Sequence, residues 1–208
     1  MKPLRSFLDR LEPLFTKGGR FEQMHALYEA VDTFFYSPAD LARGSPHVRD
    51  AIDLKRVMIL VVFASVPAAV VGMWNTGFQA NTAMQSLGLV GIEGWRGATL
   101  ALLGAGYDPN SLYDCVLQGA LYFVPIYIVT MAVGLTWEVL FAGVRNHEVN
   151  EGFFVTGWLY ALILPATIPL WQVAVGITFG VIIGKEVFGG TGKNFLNIAL
   201  LGRAFLYF

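Results

Sequence analysis

Residues 171–208 read WQVAVGITFGVIIGKEVFGGTGKNFLNIALLGRAFLYF, and this stretch decides what kind of protein the chain is. Trp171 to Gly184 is apolar, with glycine at every fourth position: Gly176, Gly180 and Gly184. Lys185-Glu186 follows, then a glycine-rich polar break from Gly189 to Asn194, and apolar chain resumes at Phe195. Backbone groups in such a break would go unpaired in hydrocarbon, so it is tolerable only where it lines a cavity, is buried in protein or reaches the membrane surface. Glycine-broken membrane segments also mark binding sites in transport-type folds. The stretch therefore predicts an integral membrane protein whose function lies near the break.

Composition agrees. Apolar residues make up 55% of the chain and charged residues 14%, against about 25% charged in an ordinary soluble domain. A net charge of −1 gives no reason to expect a nucleic-acid partner, and the lone Cys115 excludes an internal disulfide or a cysteine-cluster metal site. Residues 1–50 are too charged for a cleavable signal peptide.

Working outward, the expected fold is all-α and membrane-spanning. Apolar spans are expected at about Val57–Trp74, Cys115–Val144, Phe153–Leu170 and Trp171–Phe188. A fifth begins near Phe195 and is still apolar at Phe208, short of the roughly 20 residues a crossing needs; the expectation is a truncated fifth helix in a piece of a longer subunit. Nine of the fourteen Lys and Arg residues lie between Lys2 and Arg56, which places the N-terminus in the cytoplasm by the positive-inside rule. Asn75 to Leu112 reads as a long outer loop with Trp95 and Tyr107 as interfacial anchors.

Residues 1–54 read as a cytoplasmic amphipathic segment, and 55–208 as the membrane domain. Leu4, Phe7, Leu8, Leu11, Leu14 and Phe15 recur at helical spacing, and Met24, Tyr28, Val31 and Phe35 share a face in a second stretch, Phe21–Tyr36. The two helices either lie on the bilayer or a partner, or form a lid over a lipophilic-substrate entrance.

Few residues carry chemistry. Glu138 stands inside the second span, where a carboxylate is costly and functional by default; the structural alternative is a pair with Arg145, seven residues and about 10 Å along the same face. Gly134, one turn earlier, leaves room for a ligand or a neighbouring helix. The 176/180/184 glycine row signals close helix packing, and Lys185 and Glu186 read as interfacial charges. Asn194 and Asn197 share a face if helical, and their carboxamides match the donor–acceptor edge of an isoalloxazine or quinone; taken alone they read better as caps, with Asn194 the N-cap. A Walker loop fails at Val187 and Asn194, a zinc-protease helix fails at Glu151, and Gly190-Thr191-Gly192 lacks the third glycine of a dinucleotide fingerprint.

Three strings, Ser45–Arg56, His147–Thr156 and Gly184–Asn197, resemble the B subunit of the bacterial sodium-translocating NADH:quinone oxidoreductase; the D subunit of the related RNF complex is similar in the membrane core only. The resemblance implies the N-terminal half of a protein arranged as a urea-transporter-like inverted repeat in the cell inner membrane. It implies riboflavin at Asn194 and Asn197, which reverses the preference for a cap, and ubiquinone near Gly134, Glu138 and Phe154 and at the N-terminal segment. It also implies an FMN attached to a threonine in a Ser-Gly-Ala-Thr motif, expected beyond Phe208 and not to be confused with Thr191. Partners implied are the other subunits of the complex, ubiquinone, sodium and membrane lipid. Two positions depart from the family pattern: Ile198 stands where proline is usual, and Leu135 where a second glycine is expected, which should narrow the quinone pocket.

The function expected is electron transfer from flavin to ubiquinone coupled to sodium export. A channel or secondary transporter on the same half-repeat, without a redox cofactor, explains the broken helix and the buried carboxylate as well, and an assembly protein that only anchors neighbours is the third reading.

Overall fold

The computed structural model describes residues 2–16, 21, 28, 32, 36, 54–145 and 152–207. The strings at 45–53 and 147–151, and most of the second amphipathic stretch, lie outside the described residues. The described chain is helical: α1 Lys2–Phe15, α2 Leu54–Ser86, α3 Trp95–Leu102, α4 Leu112–Arg145, α5 Gly152–Ile163, α6 Leu170–Gly184, a 3-10 turn Glu186–Phe188, and α7 Ile198–Phe205.

Helix α1 is amphipathic as its spacing requires. Leu8 is buried while Phe7 and Leu14 are exposed. Arg5 bonds Asp9 at 2.8 Å and Asp32 at 2.9 Å, the Tyr28 hydroxyl donates to Leu8 O at 3.0 Å, and the Phe15 and Tyr28 rings stack. Its partners thus include residues of the second stretch.

Three segments, Arg56–Ser86, Leu112–Arg145 and Leu170–Phe188, are helical, long and apolar enough to cross a membrane. The first span is longer than expected. Helix α2 has 33 residues and runs on through polar chain assigned to the outer loop, because Thr76 and Thr82 return their hydroxyls to Gly72 O and Phe78 O at 2.9 and 2.7 Å. It stops where Gly88 takes a φ of 68°, with the Gly88 and Leu89 amides bonded back to Gln85 O and Met84 O.

The third expected span is a correction. Among the described residues Phe153–Leu170 is not one continuous helix: α5 has 12 residues, about 18 Å of rise, and stops at Ile163. The chain turns after Ile163, where the Ile168 amide bonds Pro165 O at 3.2 Å, and Pro169 becomes the cap of α6.

Helix α4 is the hub, packed by α2, α5 and α6. Its buried ridge follows the i, i+4 row through Asp114, Gln118, Ile126, Thr130, Gly134, Glu138 and Ala142. Pro125 within α4 removes the amide that would bond Leu121 O, and the Arg96 Nε donates to that carbonyl instead at 3.3 Å. Arg96 lies over the Trp95 and Tyr122 rings. The glycine row of α6 does what its spacing suggests: a Cβ at Gly180 would come 2.8 Å from Ile198 O, and one at Gly202 would come 2.8 Å from Gly176 O. Small residues on both helices let α7 lie directly on α6.

Candidate functional site

At the end of α4 nearest the break, four charges from two segments meet. Lys185 Nζ donates to both carboxylate oxygens of Glu138 at 2.5 Å. Arg145 donates to Glu186 Oε2 at 2.8 Å and to the Glu186 main-chain oxygen at 2.7 Å. Lys185 and Glu186 are themselves 3.8 Å apart. Glu138 is 3% exposed, Lys185 4% and Glu186 1%, so two sequence readings are corrected. Arg145 pairs with Glu186 in place of Glu138, and Lys185 and Glu186 are interior charges. Burying one unpaired charge costs several kcal/mol; two cations against two carboxylates leave no net charge in the cluster.

The cluster sits where the helix gives way to the break. The Phe188 and Gly190 amides both donate to Lys185 O, and Gly189 and Gly190 hold φ values of 105° and 94°, a left-handed geometry that glycine alone adopts without strain. The turn is thereby built from main chain, with side chains left for other tasks.

Gly134 lies one turn before Glu138 on the same ridge and faces Phe153. A Cβ there would come within 2.6 and 2.7 Å of the Phe153 Cε atoms. Phe154 sits elsewhere, packed with Val139 on Ala142. The structure thus brings Gly134, Glu138 and Phe154 to one end of α4, but the ring that meets Gly134 is Phe153, which sequence reading passed over. Trp137 is held by a hydrogen bond from its Nε1 to Thr178 Oγ1 at 3.0 Å. Leu135 packs against the main apolar core and is not one of the buried ridge residues.

The two asparagines do different things. Asn197 is the N-cap of α7, accepting from the Leu200 amide at 3.1 Å, and Asn194 donates its Nδ2 to Leu196 O at 3.1 Å. The cap is therefore the second asparagine, not the first. Each spends half of its carboxamide; among the described residues no protein partner takes the Asn197 Nδ2 or the Asn194 Oδ1. Beside them Phe195 is exposed and meets Phe188 edge-on at 4.8 Å. A donor, an acceptor and an exposed ring suit a flat heterocycle with an imide edge. Ile198 is the first residue of α7, a position that proline also fits.

A cavity of about 130 Å³ lies between α2, α4 and the α5–α6 turn, lined by Gly72, Met73, Gly119, Phe123, Ile126 and Leu164 among others. Ile126 is twelve residues from Glu138, about 18 Å along the helix, so the cavity is separate from the charged cluster.

A bundle of long apolar helices that buries a cluster of paired charges is a polytopic membrane protein. The chain belongs to the NQR2, RnfD, RnfE family, whose model matches residues 41–208. It is 63% identical over 207 residues to the B subunit of the Na(+)-translocating NADH-quinone reductase of Azotobacter vinelandii, a match that covers 99% of this chain and 51% of that protein. The proteins of the same name from Ectopseudomonas mendocina and Pseudomonas paraeruginosa are 62% and 61% identical, with the same coverage. The chain spans about half the length of the curated relatives it matches.

Proposed function

We propose that this chain forms half of the membrane subunit of a sodium-pumping NADH:ubiquinone reductase, in which electrons pass from flavin to ubiquinone as sodium is exported. Residues 55–208 would be one arm of a urea-transporter-like inverted repeat in a bacterial inner membrane, with α7 opening a fifth crossing. Residues 1–54 would lie on the cytoplasmic side, and the remaining subunits of the complex, with sodium and lipid, would be its partners.

The observation that carries the reading is the buried Glu138–Lys185 pair, one turn from Gly134 and at the head of the segment that bears Asn194 and Asn197. Glu138 would orient or protonate the quinone ring, with Gly134 letting the Phe153 ring pack on α4 and Phe154 walling the site. Asn197 Nδ2 and Asn194 Oδ1 would hold the riboflavin edge. Flavins supply the electron-carrying chemistry when bound; this chain's part is to hold and orient them and to set the local charge. An FMN-bearing threonine, which the family resemblance implies, would lie outside residues 1–208.

The test is Glu138→Gln in the assembled complex. Ubiquinone turnover should fall about tenfold or more, as removal of a proton-handling group does, while NADH oxidation by an artificial acceptor survives. Wild-type quinone kinetics in that variant would refute the assignment.

A further inference from the structure

We infer that Lys185 is a positioning residue for Glu138, fixing the carboxylate that the proposed function places at the quinone; the inference rests on that placement.

The structure offers two ways to hold the start of the break against α4, and they are not equivalent. Arg145 grips Glu186 by its carboxylate and by its main-chain oxygen. The turn that follows is closed by main-chain bonds to Lys185 O. Anchoring is thus supplied without the Lys185 side chain. What the Lys185 side chain does is span both oxygens of Glu138 at 2.5 Å. That contact joins residues 47 apart in sequence and is buried on both sides, with side chains 5% and 3% exposed.

Two consequences follow from this geometry. A carboxylate bonded through both oxygens to one ammonium is held facing it, so an approaching quinone meets a group whose direction is fixed. The ammonium also lies between two carboxylates, Glu138 and, at 3.8 Å, Glu186. It supplies the positive charge that lets Glu138 stay in the interior, since a buried carboxylate without a partner is strongly disfavoured.

The experiment measures ubiquinone-1 reduction by the full complex carrying Lys185→Met, Lys185→Arg, Glu138→Gln, and Glu138→Gln combined with Lys185→Met. Flavin content and NADH oxidation by an artificial acceptor serve as controls for assembly. Lys185→Met should lower kcat/KM for quinone about tenfold, the scale expected for directly coupled residues, with the controls retained. Lys185→Arg, which keeps the charge, should lose less. Adding Lys185→Met to Glu138→Gln should cause no further loss, because the group being positioned is already altered. An assembled Lys185→Met complex with wild-type quinone kinetics overturns the inference, and so do losses that multiply in the double variant. Should Lys185→Met alone fail to assemble, the double variant, which removes both charges together, decides against Glu138→Gln by the same comparison. Normal kinetics in Glu138→Gln would instead remove the quinone assignment itself. Slow Glu138→Gln with unaltered Lys185→Met would remove only the role given to Lys185.

Discussion

Replacing Gly134 with alanine tests how the α4–α5 contact shapes the site. The added Cβ would fall on the tip of the Phe153 ring, within 2.6 and 2.7 Å of its two Cε atoms, where carbon pairs settle at about 3.5 Å or more. The ring's Cζ lies nearer still, so the ring must withdraw by roughly 1.5 Å to restore contact. Phe153 is only 2% exposed and sits in the main core with Ile126, Tyr160 and Ile177, so the neighbours must move with it. Overpacking of this kind costs about 1–3 kcal/mol, which for a chain of this size lowers the unfolding midpoint by several degrees, on the order of 5 °C. The same shift displaces the start of α5, and with it Phe154, so quinone KM should rise. Phe153→Leu shortens the clashing ring and should rescue Gly134→Ala, giving a coupling of about 1 kcal/mol or more. Midpoints of the purified protein in detergent and quinone kinetics of the complex supply the data. Unchanged stability and KM in Gly134→Ala, or strict additivity with Phe153→Leu, would refute the packing argument.

Three further outcomes are expected. Arg96→Met strands Leu121 O and should destabilise by about 1–3 kcal/mol; in a Pro125→Ala background, where a main-chain amide is again available, most of that loss should vanish in thermal unfolding. Asn197→Asp keeps the cap oxygen and should leave stability within a few tenths of a kcal/mol, yet it replaces the Nδ2 donor by an acceptor and should lower the riboflavin content of the purified complex; retained riboflavin would assign Asn197 to capping alone. At the N-terminal helix, burial first, then Asp32 and Glu12, raise the Tyr28 phenol above its ordinary value of 10.0. The neutral phenol is thus favoured in the folded state, and its contribution, complete below pH 10.0, is lost as pH rises through the raised value. Proteolysis within α1 should accelerate in that alkaline window, and Tyr28→Phe should show no such pH step.

Some of the site was legible because it is local. Glu138 stood out as a charge within an apolar run, Gly134 by its spacing, and the asparagines by their place after a glycine-rich break. Their proposed ligands came from the family resemblance. Phe153 escaped notice because nothing in its own sequence context separates it from Phe154. Lys185 and Glu186 were misplaced for a related reason: a charge at the end of an apolar helix usually faces the membrane surface. A carboxylate at matching depth on another helix was the available clue.

What the sequence by itself determined is the solvent the protein inhabits, the apolar spans at Cys115–Val144 and Trp171–Phe188, the glycine row and the position of the break. Hydropathy, periodicity and glycine spacing are properties of neighbouring residues, so they can be read along the chain. Tertiary structure alone decided the pairing. Lys185 finds Glu138 across 47 positions and Glu186 finds Arg145 across 41, while the Arg96 side chain replaces an amide that Pro125 lacks. Which side chains meet depends on the depth and rotation of one helix against another. Those are set by how closely small residues let backbones approach, a quantity that exists only once the helices are packed.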